Sequence, residues 1–259
     1  MQLYFKKYGH GQPLLILHGL LGSSGNWHSL SRSSFGRFWT TYTLDLRNHG
    51  RSPHAPEMTY AAMARDVLEF AQDLHAGNVH VLGHSMGGKV AMELAIRYPH
   101  VVDRLVVVDV APRAFENRDA SVIRAVKSVD FALHRDRKSI DRALADHFES
   151  PPVRQFLMKN LNHSRGRYEW RPNLDVLERA YSGIAGPLTA KGVFEGDTLF
   201  LRGGRSDYIR ESDMADIERR FPAARVVTIN EAGHWIHADA PDEFSREVTH
   251  FLSDLVDAK

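Results

Sequence analysis

The chain has 259 residues, 43% of them hydrophobic and 25% charged, the ordinary balance of a globular protein, which excludes a disordered chain and suits one α/β domain with a modest insertion. Its formal net charge of +1 gives the whole chain no electrostatic reason to bind nucleic acid or a membrane. Cysteine is absent, which excludes a disulfide framework, a cysteine nucleophile and a thiolate metal site.

The first residues, Met1-Gln2-Leu3-Tyr4-Phe5-Lys6-Lys7, are not followed by a signal-peptide apolar region, and no run is long enough to span a bilayer, so the cytoplasm is the expected location. The first apolar run, Leu14 to Leu17, leads into His18-Gly19-Leu20-Leu21-Gly22, and the second, Tyr42 to Leu46, into Arg47-Asn48-His49-Gly50. Tyr60, Met63, Val67, Phe70, Ala71 and Leu74 then follow helical spacing, with Thr59 placed to cap the first turn. A third strand, Val79 to Leu82, runs into Gly83-His84-Ser85-Met86-Gly87-Gly88 and a helix from Met86 to Arg97; a fourth, Leu105 to Val108, ends at Asp109.

Between about residues 113 and 190 the strand rhythm stops and helical patterns such as Ile140, Leu144, Phe148 take over. Breaks are expected at Ser150-Pro151-Pro152 and around Asn162 to Gly166. Strands return at Thr198 to Leu201, before Arg202-Gly203-Gly204, and at Arg225 to Ile229, before Asn230-Glu231-Ala232-Gly233-His234. Phe244, Val248, Phe251, Leu252 and Leu255 make one face of a last helix. The alternation predicts a mostly parallel sheet flanked by helices, with residues 1–112 and 191–259 as the core and 113–190 as an inserted helical cap.

Polar, glycine-rich segments gather at strand C-terminal ends, where open α/β sheets hold their ligands. Within Gly83-His84-Ser85-Met86-Gly87 a sharp strand-to-helix turn needs glycine on both sides and lifts the serine clear of the sheet, so Ser85 is the expected nucleophile. The free N–H groups of the helix that begins at Met86 favour an oxyanion there, and the Leu20 amide is the expected second donor. Of fifteen histidines, His234 has the position of the general base, past a late strand and after the acid in chain order. His237 and His250 are weaker rivals; His18, His49 and His84 read as loop-shaping residues. Two carboxylates satisfy the order, Asp109 before the insertion and Asp207 after it, and Asp175 would have to reach down from the cap.

The segments HGLLGS, RNHGRS, GHSMGG, VVVDVAP and AGHWIHA, in this order and across nearly the whole chain, resemble the α/β-hydrolase esterase family typified by the bacterial YbfF esterases. The resemblance implies acyl transfer through a Ser-His-Asp triad, with Asp109 as the acid in the D-x-A-P position, no cofactor or metal, and a small-molecule acyl ester or thioester as substrate. The chain departs from the family pattern by also carrying Asp207.

Other readings compete. Gly83 to Lys89 also fits the phosphate-loop pattern G-x-x-x-x-G-K, but Val90 stands where that loop needs a magnesium-binding hydroxyl. Serine-dependent C–C hydrolases, lyases and perhydrolases share the same motifs, as would a low-turnover binding protein of this fold. From Arg113 to Arg171 there are 13 Lys and Arg against 8 Asp and Glu, which suggests a surface for an anionic thioester, with Trp170, Phe148 and Phe156 lining an acyl slot. The sequence leaves the oligomeric state open.

Overall fold

A computed structural model describes residues 1–115, 120–164 and 166–253. The strands are β1 (Phe5–Tyr8), β2 (Pro13–Leu17), β3 (Thr40–Leu44), β4 (Val79–His84), β5 (Val102–Val108), β6 (Leu161–Ser164), β7 (Arg167–Trp170), β8 (Thr198–Gly203) and β9 (Ala224–Ile229). The helices are α1 (His28–Ser33), α2 (Tyr60–Asp73), α3 (Met86–Arg97), α4 (Ala120–Lys127), α5 (Arg137–Ala145), α6 (Pro151–Met158), α7 (Leu174–Ile184), α8 (Met214–Arg220), α9 (Ile236–Asp239) and α10 (Pro241–Leu252). Leu255, expected on the last helical face, lies outside the described residues.

Seven strands form one sheet in the order β1-β3-β2-β4-β5-β8-β9, with β1 antiparallel at one edge and every other pairing parallel. The central strands are apolar on both sides, as strands covered by two helical layers must be. Leu15, Leu17, Val79, Val81, Leu105 and Val107 face one layer, packing with α2 and α3. Their alternates Leu14, Ile16, Leu82, Val106 and Val108 face the other, against Trp27 and the α10 side chains Phe244, Val248 and Leu252. Period-two alternation thus divides each strand between two cores. Thr59 caps α2 as expected, its hydroxyl accepting from the Ala62 amide at 3.1 Å.

The chain leaves the sheet after β5 and returns at β8. The intervening segment holds α4 to α7, whose buried Ile123, Ile140, Leu144, Leu157 and Leu177 join the same apolar layer as α2 and α3. The break expected around Asn162 to Gly166 is instead an antiparallel hairpin, β6 with β7, registered Leu161 to Trp170 and Ser164 to Arg167. Gly166 in its turn has φ +75°, the left-handed backbone that glycine adopts without penalty. The antiparallel edge strand β1 is a second element that hydrophobic periodicity does not announce. Among the described residues no helix is long and apolar enough to cross a membrane.

Candidate active site

Strand β4 ends at His84 and α3 begins at Met86, leaving Ser85 alone to make the turn, at φ +53° and ψ −119°. A non-glycine residue is strained there, so the surrounding packing must hold it. That packing is tight: a Cβ on Gly83 would lie 2.2 Å from the Gly87 carbonyl oxygen, and one on Gly87 would lie 2.5 Å from that of Leu17. The Ser85 amide is fixed to the Val108 carbonyl at 3.0 Å, and the Lys89 amide bonds back to the Ser85 carbonyl at 3.1 Å.

On the neighbouring strand, Asp109 follows β5 with φ +49° and is fully buried. Its Oδ2 accepts from His234 Nδ1 at 2.8 Å, and also from the Ser206 hydroxyl. Its Oδ1 accepts from the Gly203 amide at 3.0 Å. A carboxylate buried without partners would be costly; the imidazole and two further donors keep this one in place. The other two acid candidates lie elsewhere. Asp207 turns its carboxylate to Arg210 at 3.4 Å, with its side chain 50% exposed. Asp175 pairs with Lys127 at 2.7 Å on the surface of the inserted segment.

His234 is held from three sides. Its carbonyl accepts from His84 Nε2 at 2.9 Å, its Nδ1 meets Asp109, and the Tyr208 ring stacks on its imidazole at 3.8 Å between centroids and 20° between planes. His84 is a loop-shaping residue, as expected; burial foremost, then the charges His234 and His237 would carry, push its pKa well below the usual histidine value, so it remains neutral. Of the rival bases, His237 stacks on Trp27 at 4.4 Å and His250 is exposed on α10.

The oxyanion-loop candidate is braced by two more buried histidines. His18 Nδ1 donates to the Gly19 carbonyl at 2.8 Å while its Nε2 accepts from the Leu46 amide at 3.0 Å. His49 donates through Nδ1 to the Arg47 carbonyl at 3.0 Å and accepts from the Leu21 amide at 3.2 Å. Both rings need a bare nitrogen for these bonds, and burial lowers both pKa values, His49 to about 3. Leu20, between these braces, joins Ser85 and Met86 around a cavity of about 30 Å³, space on the scale of a single water.

A larger cavity of about 300 Å³ brings Ser85 and His234 together, with Leu20, Leu21, Val122, Val153, Leu157 and Trp235 among its walls. Of the aromatic residues expected in an acyl slot, Phe156 lines it. Trp170, at the end of β7, instead packs at a tilt on Phe131 at 5.5 Å and Phe148 lies beside His147 at 6.4 Å, and neither lines this cavity. A groove of about 410 Å³ outside the Phe156–Trp235 contact is roomier but does not include Ser85. Three of the thirteen basic residues of this stretch are held in ion pairs: Lys127 with Asp175 and Glu178, Arg154 with Asp141, and Arg113 with Asp213.

Three residues of this site were not singled out by sequence reasoning. Ser206 and Tyr208 flank the Asp207 that drew attention, and Lys89 appeared only as a phosphate-loop mimic. Among the described residues no cluster of three or more His, Asp or Glu side chains could hold a metal ion.

A family model described as alpha/beta hydrolase fold matches residues 12–241. The chain is 41% identical over 256 residues to the sn-1-specific diacylglycerol lipase ABHD11 of Danio rerio, covering 96% of this chain and 80% of that one. It is 33% identical over 246 residues to Esterase YbfF of Escherichia coli, covering 95% and 94%. Among solved structures, a marine microorganism esterase superposes with a TM-score of 0.94 at 38% identity, covering 97% of this chain and 99% of that one.

Proposed function

Because the chain belongs to the α/β-hydrolase family and is an enzyme of its esterase kind, we propose that it cleaves carboxylic esters by acyl transfer to Ser85, with His234 as general base and Asp109 as the acid that orients it. The carrying observation is the 2.8 Å bond from His234 Nδ1 to a fully buried Asp109, on an imidazole that shares a cavity with Ser85. Nδ1 commits its proton to the carboxylate, which leaves Nε2 bare to accept one.

In this reading His234 Nε2 takes the Ser85 hydroxyl proton as Oγ bonds to the acyl carbon. The carbonyl oxygen becomes an oxyanion, received by the amides of Leu20 and Met86 at the small cavity. Collapse breaks the bond to the alkoxy oxygen, which leaves as the alcohol with the proton from His234. Water then adds to the acyl-serine with His234 again as base, and the acid departs. Residues 113–190 serve as a cap whose apolar side chains wall the cavity. No step draws on a cofactor or metal.

The apolar walls and the paired state of several cap cations favour a neutral ester with an apolar chain. A thioester would follow the same steps, with a thiol as leaving group. Ser85→Ala should lower ester turnover by about 10⁵-fold at unchanged melting temperature, with loss of labelling by a fluorophosphonate. Full activity in the folded variant removes the proposal. A panel of p-nitrophenyl esters and acyl thioesters of increasing chain length then ranks the substrate classes.

A further inference from the structure

Helix α3 carries two buried charged side chains one turn apart, Lys89 and Glu93, 1% and 0% exposed, where a helix packed on a sheet ordinarily presents apolar ones. Both reach the ends of the cap. Glu93 Oε1 accepts from the Thr189 amide, the Thr189 hydroxyl at 2.9 Å and the Ala190 amide at 2.8 Å, while Oε2 accepts from Arg97 Nε at 2.7 Å. Lys89 Nζ donates to the Arg113 carbonyl at 2.8 Å and to the Gly186 carbonyl. One ammonium therefore holds the entry and the exit of the cap together.

A line of packed rings leads from this tie to the site. The Lys89 ammonium sits 4.3 Å from the Phe115 ring centroid, Phe115 packs on Tyr208 at 5.1 Å, and Tyr208 stacks on His234 at 3.8 Å. Arg113, fixed by Asp213 Oδ1 at 2.6 Å, covers the same Phe115 ring at 4.8 Å. Burial, followed by the Arg113 charge, lowers the Lys89 pKa to about 7, yet a neutral amine keeps two N–H groups, enough for both carbonyls.

We propose that Lys89 is a positioning residue: by tying both cap stems to α3 it seats Phe115 against Tyr208 and so fixes the plane of the His234 imidazole. This accounts for a lysine in the position that imitates a phosphate-loop lysine, and it rests on His234 being the base. Small angular errors in a catalytic base carry large rate penalties, so the defect belongs in kcat rather than in binding.

The test measures kcat, KM and melting temperature with p-nitrophenyl acetate, with kcat normalised to sites titrated by a fluorophosphonate. Lys89→Met should lower kcat by about tenfold with KM within about twofold, and Lys89→Gln, which can keep one carbonyl, should fall between. Phe115→Leu should lower kcat in the same direction, and the double variant should be no worse than the worse single one, because both cut one line of contact. Wild-type kcat per titrated site in Lys89→Met, a defect confined to KM, or additive losses would overturn the proposal. If Lys89→Met does not fold, Lys89→Gln and Phe115→Leu decide on the same criterion, and wild-type kcat in Phe115→Leu overturns it. An active His234→Ala protein would remove the base assignment beneath it, whereas an inactive one beside a fully active Lys89→Met removes only the tie.

Discussion

The strand ends of the sheet and the inserted segment handle polar groups in opposite ways. At the strand ends, polar side chains are buried and each is fixed by its neighbours: Asp109 by Gly203, Ser206 and His234, His18 and His49 by backbone groups on adjacent loops. In the insertion most stand at the surface, in pairs such as Lys127 with Asp175, and the inward side chains are mainly apolar, the buried Asn160, which donates to the Leu21 carbonyl, being an exception. The first arrangement restricts what residue can occupy each position, because any change leaves a buried group without its partner; the second restricts little beyond the apolar face.

The widest test of this contrast uses the two carboxylates that the sequence left in competition. Asp109→Asn should lower turnover by about 10⁴-fold, since the amide can force the wrong imidazole tautomer, while Asp207→Asn should stay within about twofold. A large loss in Asp207→Asn would place an exposed residue in the machinery and break the contrast.

Acid provides a second test. His18, His49 and His84 are buried with pKa values lowered from 6.5, so between that value and the folded one the unfolded chain binds more protons, and stability is lost as pH falls. Stability should therefore fall as pH drops from 6.5 towards 4, read from denaturant unfolding, with His49, whose folded pKa is about 3, alone contributing up to about 1.4 kcal/mol per pH unit. Replacing the buried His49 by Gln should flatten this fall. A fall that keeps its full slope in the His49→Gln protein would contradict the burial argument.

Two smaller effects sharpen the comparison. Ser206→Ala removes one donor from the buried carboxylate and should cost about tenfold in turnover, with KM little changed. Lys127→Ala, at the exposed ion pair, should leave both turnover and melting temperature at the wild-type values; a measurable drop in either would show that the insertion's surface pairs matter.

The same contrast explains what could be read from the sequence. Continuous apolar runs announced β2, β4, β5 and β8, because strands buried on both faces must be apolar throughout. The edge strand β1, with Lys6 and Lys7 among four half-exposed residues, and the polar hairpin Asn162-His163-Ser164 with Arg167-Tyr168-Glu169 leave no such pattern. The serine elbow and the late histidine were legible through local geometry and chain order. Choosing between Asp109 and Asp207 was not, since both follow strands and only the direction of each side chain distinguishes them. Lys89 was hidden for the opposite reason: a lysine within a helix reads as solvent-facing until the carbonyls it meets, from chain segments 24 and 97 residues away, are known.

At the neck of the insertion the Leu188 amide bonds to the Pro112 carbonyl at 2.9 Å and the Phe115 amide to the Ala185 carbonyl at 2.7 Å. Two chain ends paired so closely form a socket of fixed width. A cassette whose own termini can pair in the same way, and which renews the apolar contacts that α4 to α7 make with the layer of α2 and α3, could be spliced between β5 and β8. Recombination at this socket would exchange Val122, Val153, Phe156 and Leu157 of the cavity wall in one event while the proposed Ser85, His234 and Asp109 were retained. Chimeras joined just inside Phe115 and Ala185, which keep Arg113, Phe115 and Gly186 and with them the Lys89 tie, are therefore a direct route to new substrate ranges on the proposed catalytic frame.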